Sequence, residues 1–277
     1  MNEKEISVQK DFHRGEKVKI LYLDLEISPM VALTFSAYEA NAFQVKKPPI
    51  IIAFAYQWEG EKTIHGKILP DYEGYKAGLF NLDDKLLVTE LYEVMEKANL
   101  IVGHNLKKFD IKHAKTRFYT HGLPPPRKWL IEDTLLIARK YFAFPKNNLD
   151  YLSEYDGETG KTREKYSDLI GGCIDGNLRD WQKMRLYNKR DIEITRNRYL
   201  KFRGWHETHT NLNFITRKND CPVCGSGDIQ CRGYAKSFKK TAVAQRYSCN
   251  NCGKWWTGEY IARVRDETLE PVIQSNP

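Results

Sequence analysis

The sequence lacks any run of about 18 apolar residues, which excludes a helix able to span a bilayer. It also lacks an apolar stretch near its start. Residues 1–15 are polar, carry charges of both signs and have no h-region of a secretory signal. A soluble cytoplasmic protein is expected. Cysteine is almost missing from the first 220 residues, where Cys173 stands alone, so a disulfide framework across the main body is excluded. Internal repeats are lacking too, which argues against a solenoid. The 277 residues are 41% apolar and 29% charged, a mixture that excludes intrinsic disorder and leaves room for one or two domains.

What is present is uneven. Five of the six cysteines fall after residue 220: Cys221, Cys224, Cys231, Cys249 and Cys252. The positive charge gathers there as well. Residues 217–258 hold eight basic and two acidic side chains, against a net charge of +8 for the whole chain. Four metal-bound thiolates would lower that local excess of six to about four, because each loses its proton. A compact basic module of this kind points to a polyanionic partner.

Apolar and β-branched runs predict strands over residues 18–27 and 49–58, with a third over 63–69 completing a meander. Residues 84–99 carry Leu87, Leu91, Val94, Met95 and Ala98 at helical spacing, with Asp83 or Asp84 as the cap. A buried strand is predicted over 100–103, a helix over 109–120, a short strand over 129–131 and a helix over 134–142 opened by Asp133. A further helix is capped by Asn147 or Asn148, and a long one spans 178–202. Strands first, then alternating helix and strand, predict a mixed α/β sheet flanked by helices. Residues 1–205 read as this domain, 206–220 as a connector, 221–258 as a small separate module and 259–277 as a tail.

Three acidic pieces stand out. Asp24 and Glu26 lie two apart in a strand, so both carboxylates point to one face. Two adjacent acids repel, and a divalent cation between them is the economical remedy. Solvated acids on a strand edge would serve equally, but the flanking Ile20, Leu21, Leu23, Leu25 and Ile27 argue against an edge. The second piece is Gly103-His104-Asn105-Leu106-Lys107-Lys108-Phe109-Asp110, where a strand end leads to a helix start. Asp110 alone reads as a helix N-cap. The third piece is Tyr187 and Asp191, one turn apart on the long helix. Alone, it reads as a half-buried phenol beside a rim carboxylate.

Taken together, these motifs resemble the DEDDy 3′–5′ exonucleases of the ribonuclease H-like superfamily. Asp24-Leu25-Glu26 resembles the family's D-x-E, Asn105 with Phe109 and Asp110 its second motif, and Tyr187 with Asp191 its Y-x-x-x-D. The histidine variant of the last motif is excluded, since Leu186 occupies that place. With the cysteine module added, the chain resembles phage-encoded exonucleases of this type, which places it in a host cytoplasm. The resemblance implies a ribonuclease H-like fold and two Mg²⁺ or Mn²⁺ ions held by Asp24, Glu26, Asp110 and Asp191. It implies that Tyr187 orients the attacking water and that Asn105 and Phe109 hold the terminal nucleotide. The implied reaction releases nucleoside 5′-monophosphates. One departure is Ile27, followed by Ser28, where many relatives carry Thr after the Glu.

Cys221-x-x-Cys224-Gly225 and Cys249-x-x-Cys252-Gly253 have the spacing of zinc knuckles, and four thiolates suit one structural Zn²⁺. The module resembles a zinc ribbon with hairpin strands over 230–234 and 245–248. Cys231 lies outside both knuckles, Cys173 reads as a packed thiol, and His206 and His209 are candidate ligands on spacing alone. Aromatic and basic residues alternate along the module: Tyr234, Phe238, Arg246, Tyr247, Lys254, Trp255 and Trp256, with Lys236, Lys239 and Lys240 in the turn. Bases stack on such rings and phosphates pair with such cations. Filling a small core is the competing use of the rings. DNA is favoured over RNA, and replication or repair proteins are candidate partners. The competing readings are an idle binding module on the same fold, a ribonuclease D-like RNA-processing enzyme, and a transposase-like enzyme.

Overall fold

The computed structural model describes residues 18–36, 41–158, 165–216, 220–237 and 242–262. Strand β1 (Ile20–Ile27) lies at the centre of a five-stranded sheet. Strands β2 (Val31–Leu33) and β3 (Gln44–Lys47) form a separate antiparallel hairpin. The chain returns through β4 (Ile51–Trp58), antiparallel to β1, and β5 (His65–Ile68), antiparallel to β4. Strands β6 (Leu100–Gly103) and β7 (Leu130–Asp133) add on the other side, parallel to β1. The order is β5-β4-β1-β6-β7. This is the mixed α/β sheet expected from the sequence.

Helices cover both faces. Leu21, Leu23 and Leu25 share a buried cluster with Leu87, Leu91 and Met95 of α1 (Lys85–Glu96) and Ile111, Ala114 and Phe118 of α2 (Asp110–Thr120). Next come α3 (Thr134–Tyr141), α4 (Leu149–Tyr155), α5 (Tyr166–Ile174), α6 (Leu178–Phe202) and the short α7 (Asn213–Thr216). Ile192 and Tyr199 of α6 pack on Ile20, Tyr22 and Ala55, the opposite sheet face. Asp24 and Glu26 continue that second face, so the acids sit under α6.

The β2–β3 hairpin and α5 escaped the sequence reading, and both have a physical reason. Most hairpin residues are exposed, so no apolar alternation marks them. In α5 the adjacent Gly171 and Gly172 mask an apolar pattern through Leu169, Ile170 and Cys173. Gly172 lets α5 approach α6 closely, since a Cβ there would lie 2.1 Å from the Asp180 carboxylate. Other differences are small. The strand expected over 129–131 is Leu130–Asp133. Asn148 takes the N-cap position of α4 without a side-chain cap bond.

At α1 the two cap candidates divide the work. Asp83 accepts from the Lys85 amide at 3.1 Å. Asp84, wholly buried, accepts from the Ile51 amide at 2.9 Å and from Arg117 at 2.8 and 2.6 Å, with His121 at 2.7 Å. Asp83, Asp84 and His121 are close enough to share a metal ion, but the Arg117 guanidinium already supplies the positive charge. This network ties α1, α2 and β4 together.

A second unit follows. Strands β8 (Ile229–Ser237) and β9 (Ala242–Cys249) form its hairpin, flanked by β10 (Trp255–Thr257) and β11 (Ile261–Ala262), both paired with β9. Among the described residues no helix is long and apolar enough to cross a membrane.

Candidate functional site

On β1 the acids face small neighbours. Asp24 and Glu26 pair in register with Ala55 and Ala53 of β4, which leaves the space above the sheet to α6. Asp191 comes down from α6, and the three carboxylates offer ligand atoms within 4.8 Å of one another. Glu26 and Asp191 are buried and Asp24 is half-buried. Asn188, three residues before Asp191 and on the same helix face, donates from Nδ2 to Asp24 Oδ2 at 2.6 Å. Asn188 thus engages one of the two Asp24 carboxylate oxygens. A set of hard oxygen donors this close fits a divalent cation.

Asp110 stands outside that triad but beside it. Its Oδ1 accepts from the amide of Leu25, the residue between Asp24 and Glu26, at 3.0 Å. Burial pushes the Asp110 carboxyl up to about 8, opposed by the Leu25 amide and reinforced by the carboxylates of Glu26 and Asp133. A cation nearby would restore the charged form. The loop before Asp110 is held from β7. Asp133 accepts from the amides of Asn105 and Lys107, both at 3.0 Å, and also caps α3 through the Leu135 amide. Asn105 itself has φ +62, the left-handed region that Asn tolerates, so its place in the motif includes turning the backbone. Gly103 precedes this turn because a Cβ there would meet the Leu23 carbonyl at 2.9 Å. Phe109 is exposed and its ring lies 4.5 Å from that of His113.

Tyr187 is half-buried on α6. Its ring centroid is 5.5 Å from that of Tyr166, whose hydroxyl donates to Glu26 Oε2. Burial, then the Glu26 carboxylate, push the Tyr166 phenol up, so it keeps its proton. Tyr166, Asn188 and Asp133 are the site neighbours that motif reading missed as such. The signal for Asn188 was its i, i+3 relation to Asp191, whereas Tyr166 carried none. Ser28 does not compensate for Ile27, because its hydroxyl accepts from the Ile50 amide at 3.0 Å and donates to the Pro29 carbonyl at 3.2 Å.

The four cysteines of the knuckles form one cluster, Cys221, Cys224, Cys249 and Cys252. Cys221 and Cys252 lie 3.6 Å apart at sulfur, as do Cys224 and Cys249. Zn–S bonds of about 2.3 Å place tetrahedral sulfurs about 3.8 Å apart, so the cluster fits zinc and is too wide for disulfides. Cys231 is exposed and apart from it. Cys173 is buried, and burial pushes its thiol up to about 12. His206 and His209 do not join the cluster. His206 Nε2 lies 2.9 Å from Glu132, and His209 Nε2 lies 2.8 Å from the Tyr199 hydroxyl.

These contacts seat the ribbon on the end of α6. Lys254 is buried and donates to the His206 carbonyl at 2.8 Å, so it is not a surface cation. Trp256 stacks on Tyr247 at 5.4 Å and packs against the cysteines, so these rings fill the core. Arg232, Tyr234, Lys236, Arg246 and Trp255 remain exposed. The guanidinium carbons of Arg232 and Arg246 lie 5.6 and 5.4 Å from the Trp255 ring centre. Phe238, Lys239 and Lys240 lie outside the described residues.

Glu132 is the anchor of the connector, since it also accepts from the Thr210 amide and hydroxyl at 2.8 Å. Burial alone would raise its carboxyl, but His206, His209 and Thr210 hold it down to about 2, below its usual 4.5. A depressed carboxyl stabilises the fold above its unfolded value, and that stability is lost as pH falls toward 2. Glu132→Gln is therefore expected to cost up to about 3 kcal/mol at pH 7. Denaturant titrations at pH 7 and pH 3 should show the gap to the parent protein narrowing by about 2 kcal/mol. An unchanged gap would remove Glu132 as the anchor.

No protein-family model matches the chain, and no curated protein does. Among solved structures it is similar to the family B DNA polymerase from the hyperthermophilic archaeon Pyrobaculum calidifontis, at 14% identity and a TM-score of 0.46. The match covers 80% of this chain and 31% of the polymerase, so the chain spans under a third of that protein's length. What fold and site define directly is a mixed α/β protein with a carboxylate cluster fit for divalent metal and a C-terminal four-cysteine centre fit for zinc.

Proposed function

We propose that the protein is a metal-dependent 3′–5′ exonuclease that hydrolyses 3′-terminal phosphodiesters, preferring DNA to RNA, and releases nucleoside 5′-monophosphates. The observation that supports it is the meeting of Asp24, Glu26 and Asp191, from a strand and a helix more than 160 residues apart, with ligand atoms within 4.8 Å. The Asp110 carboxylate docked on the Leu25 amide adds a fourth acid at the same strand. Two Mg²⁺ or Mn²⁺ ions would supply activation of the attacking water and stabilisation of the leaving 3′ oxygen. Asp24, Glu26 and Asp191 would hold one and Asp24 with Asp110 the other. Tyr187 would orient the attacking water by a hydrogen bond from its phenol. Phe109 offers an exposed face to the terminal base, and Asn105 shapes the loop that presents it.

Residues 1–205 form the exonuclease domain in this proposal, 206–220 the connector, 221–258 the ribbon and 259–277 a tail. The ribbon grips the sugar–phosphate strand through Lys236, Lys239, Lys240, Arg246 and Trp255, joined by Arg232, which the motif pattern passed over. Replication or repair proteins are proposed as partners and the cytoplasm, a host's if phage-encoded, as the location. The test sets 5′-labelled single-stranded DNA beside RNA of the same sequence, with and without Mg²⁺. Shortening of the DNA from its 3′ end only with metal is expected. Preference for RNA would favour a ribonuclease D-like enzyme, and binding without shortening would leave an idle binding module.

A further inference from the structure

Glu26 of the triad is held from a third element. Tyr166, first residue of α5, donates its hydroxyl to Glu26 Oε2. The same ring lies 5.5 Å from that of Tyr187, tilted by 36°. One side chain thus touches the acid on β1 and the phenol on α6. The Tyr166 residue is itself partly exposed, but its helix is firmly placed. Leu169, Ile170 and Cys173 of α5 are buried in the main core, and Gly172 brings the helix backbone against Asp180 of α6. The hydroxyl is therefore presented by a packed helix and not by a loop.

A carboxylate can bind a cation through one oxygen or both. An O–H donor on Oε2 fixes the orientation of the carboxylate beside the neighbouring acids. We propose that Tyr166 is a positioning residue of the acidic metal site, holding the Glu26 carboxylate in place as a ligand while its ring buttresses Tyr187. This rests on the metal-dependent reading of the site and deepens it. Partners of this kind behind a metal ligand typically set affinity by a factor of about 10–100.

The test is direct Mn²⁺ binding to the zinc-loaded full chain, without nucleic acid, followed by electron paramagnetic resonance of free Mn²⁺. Tyr166→Phe keeps the ring and deletes the hydroxyl. The expected result is an Mn²⁺ dissociation constant raised about 10–100-fold, with the melting temperature in metal-free buffer unchanged. The Mn²⁺ concentration giving half-maximal cleavage should rise by the same factor, while cleavage at saturating Mn²⁺ stays within a few-fold of the parent. Tyr166→Leu should show the same affinity shift plus a lower rate at saturation, because the buttress is gone. Unchanged Mn²⁺ affinity in both variants, in a parent protein that cleaves, overturns the role of Tyr166 and leaves the nuclease reading standing. A parent that binds Mn²⁺ in an Asp24-dependent way but never cleaves overturns only the nuclease reading. A parent that binds no Mn²⁺ at this site overturns both.

Discussion

Asp24→Asn and Asp191→Asn are each expected to reduce the proposed Mg²⁺-dependent shortening of a labelled strand by at least about 10³-fold, or about 4 kcal/mol of barrier. The size follows from where the acids sit. Three carboxylates within 4.8 Å repel one another unless a cation lies among them. Removing one charge weakens the hold on the cation that makes the crowding useful. Stability moves the other way. An Asn keeps the shape of the Asp while relieving like-charge repulsion, and at position 24 it also keeps an oxygen able to accept from Asn188. The variants are therefore expected to melt at or above the parent temperature in buffer without divalent metal. A labelled-strand assay beside a melting curve reads both effects. Undiminished cleavage in Asp24→Asn would sink the site.

The second large effect concerns the ribbon. Its buried core is Cys221, Val223 and Cys249, with Cys224, Ile229, Cys252 and Trp256 packed on it. A core that small cannot fold a unit of about 40 residues unaided. Zinc on four thiolates contributes roughly 10–16 kcal/mol in comparable modules. Stripping the metal, or replacing Cys221 and Cys249 by Ala, is expected to unfold β8 and β9 while β1 and α6 stay folded in their separate core. Hydrogen exchange read by mass spectrometry distinguishes the two regions, and elemental analysis identifies the metal. Because each ligand must lose its proton, the metal should also leave more readily as pH falls. Persistent protection across β8 and β9 in metal-free protein would rule out a zinc-dependent ribbon.

Both effects were legible in part before any coordinates. The D-x-E on one strand face and each C-x-x-C knuckle are local patterns, and short-range geometry brings the members of each together. The bounds of α6 at Leu178–Phe202 followed from an uninterrupted helical pattern, and β6 from an apolar run closed by Gly103. Other contacts were not legible. Lys254 sits in a basic, aromatic run that reads as a binding surface, yet its ammonium is buried on the His206 carbonyl. His206 and His209 have the look of metal ligands and serve Glu132 and Tyr199 instead. Asp84 has the look of a helix cap and neutralises Arg117.

By itself the sequence determined which faces are apolar, which acids share a strand or helix face, and which cysteines pair within each knuckle. Each of these depends on repeats of two, three or four residues that the backbone imposes locally. Only the tertiary structure decided which polar groups meet: Tyr166 with Glu26, Asn188 with Asp24, Asp133 with the Asn105 loop. A buried polar group must find a partner, but any donor or acceptor within reach satisfies it, so the choice falls to the packing of distant elements.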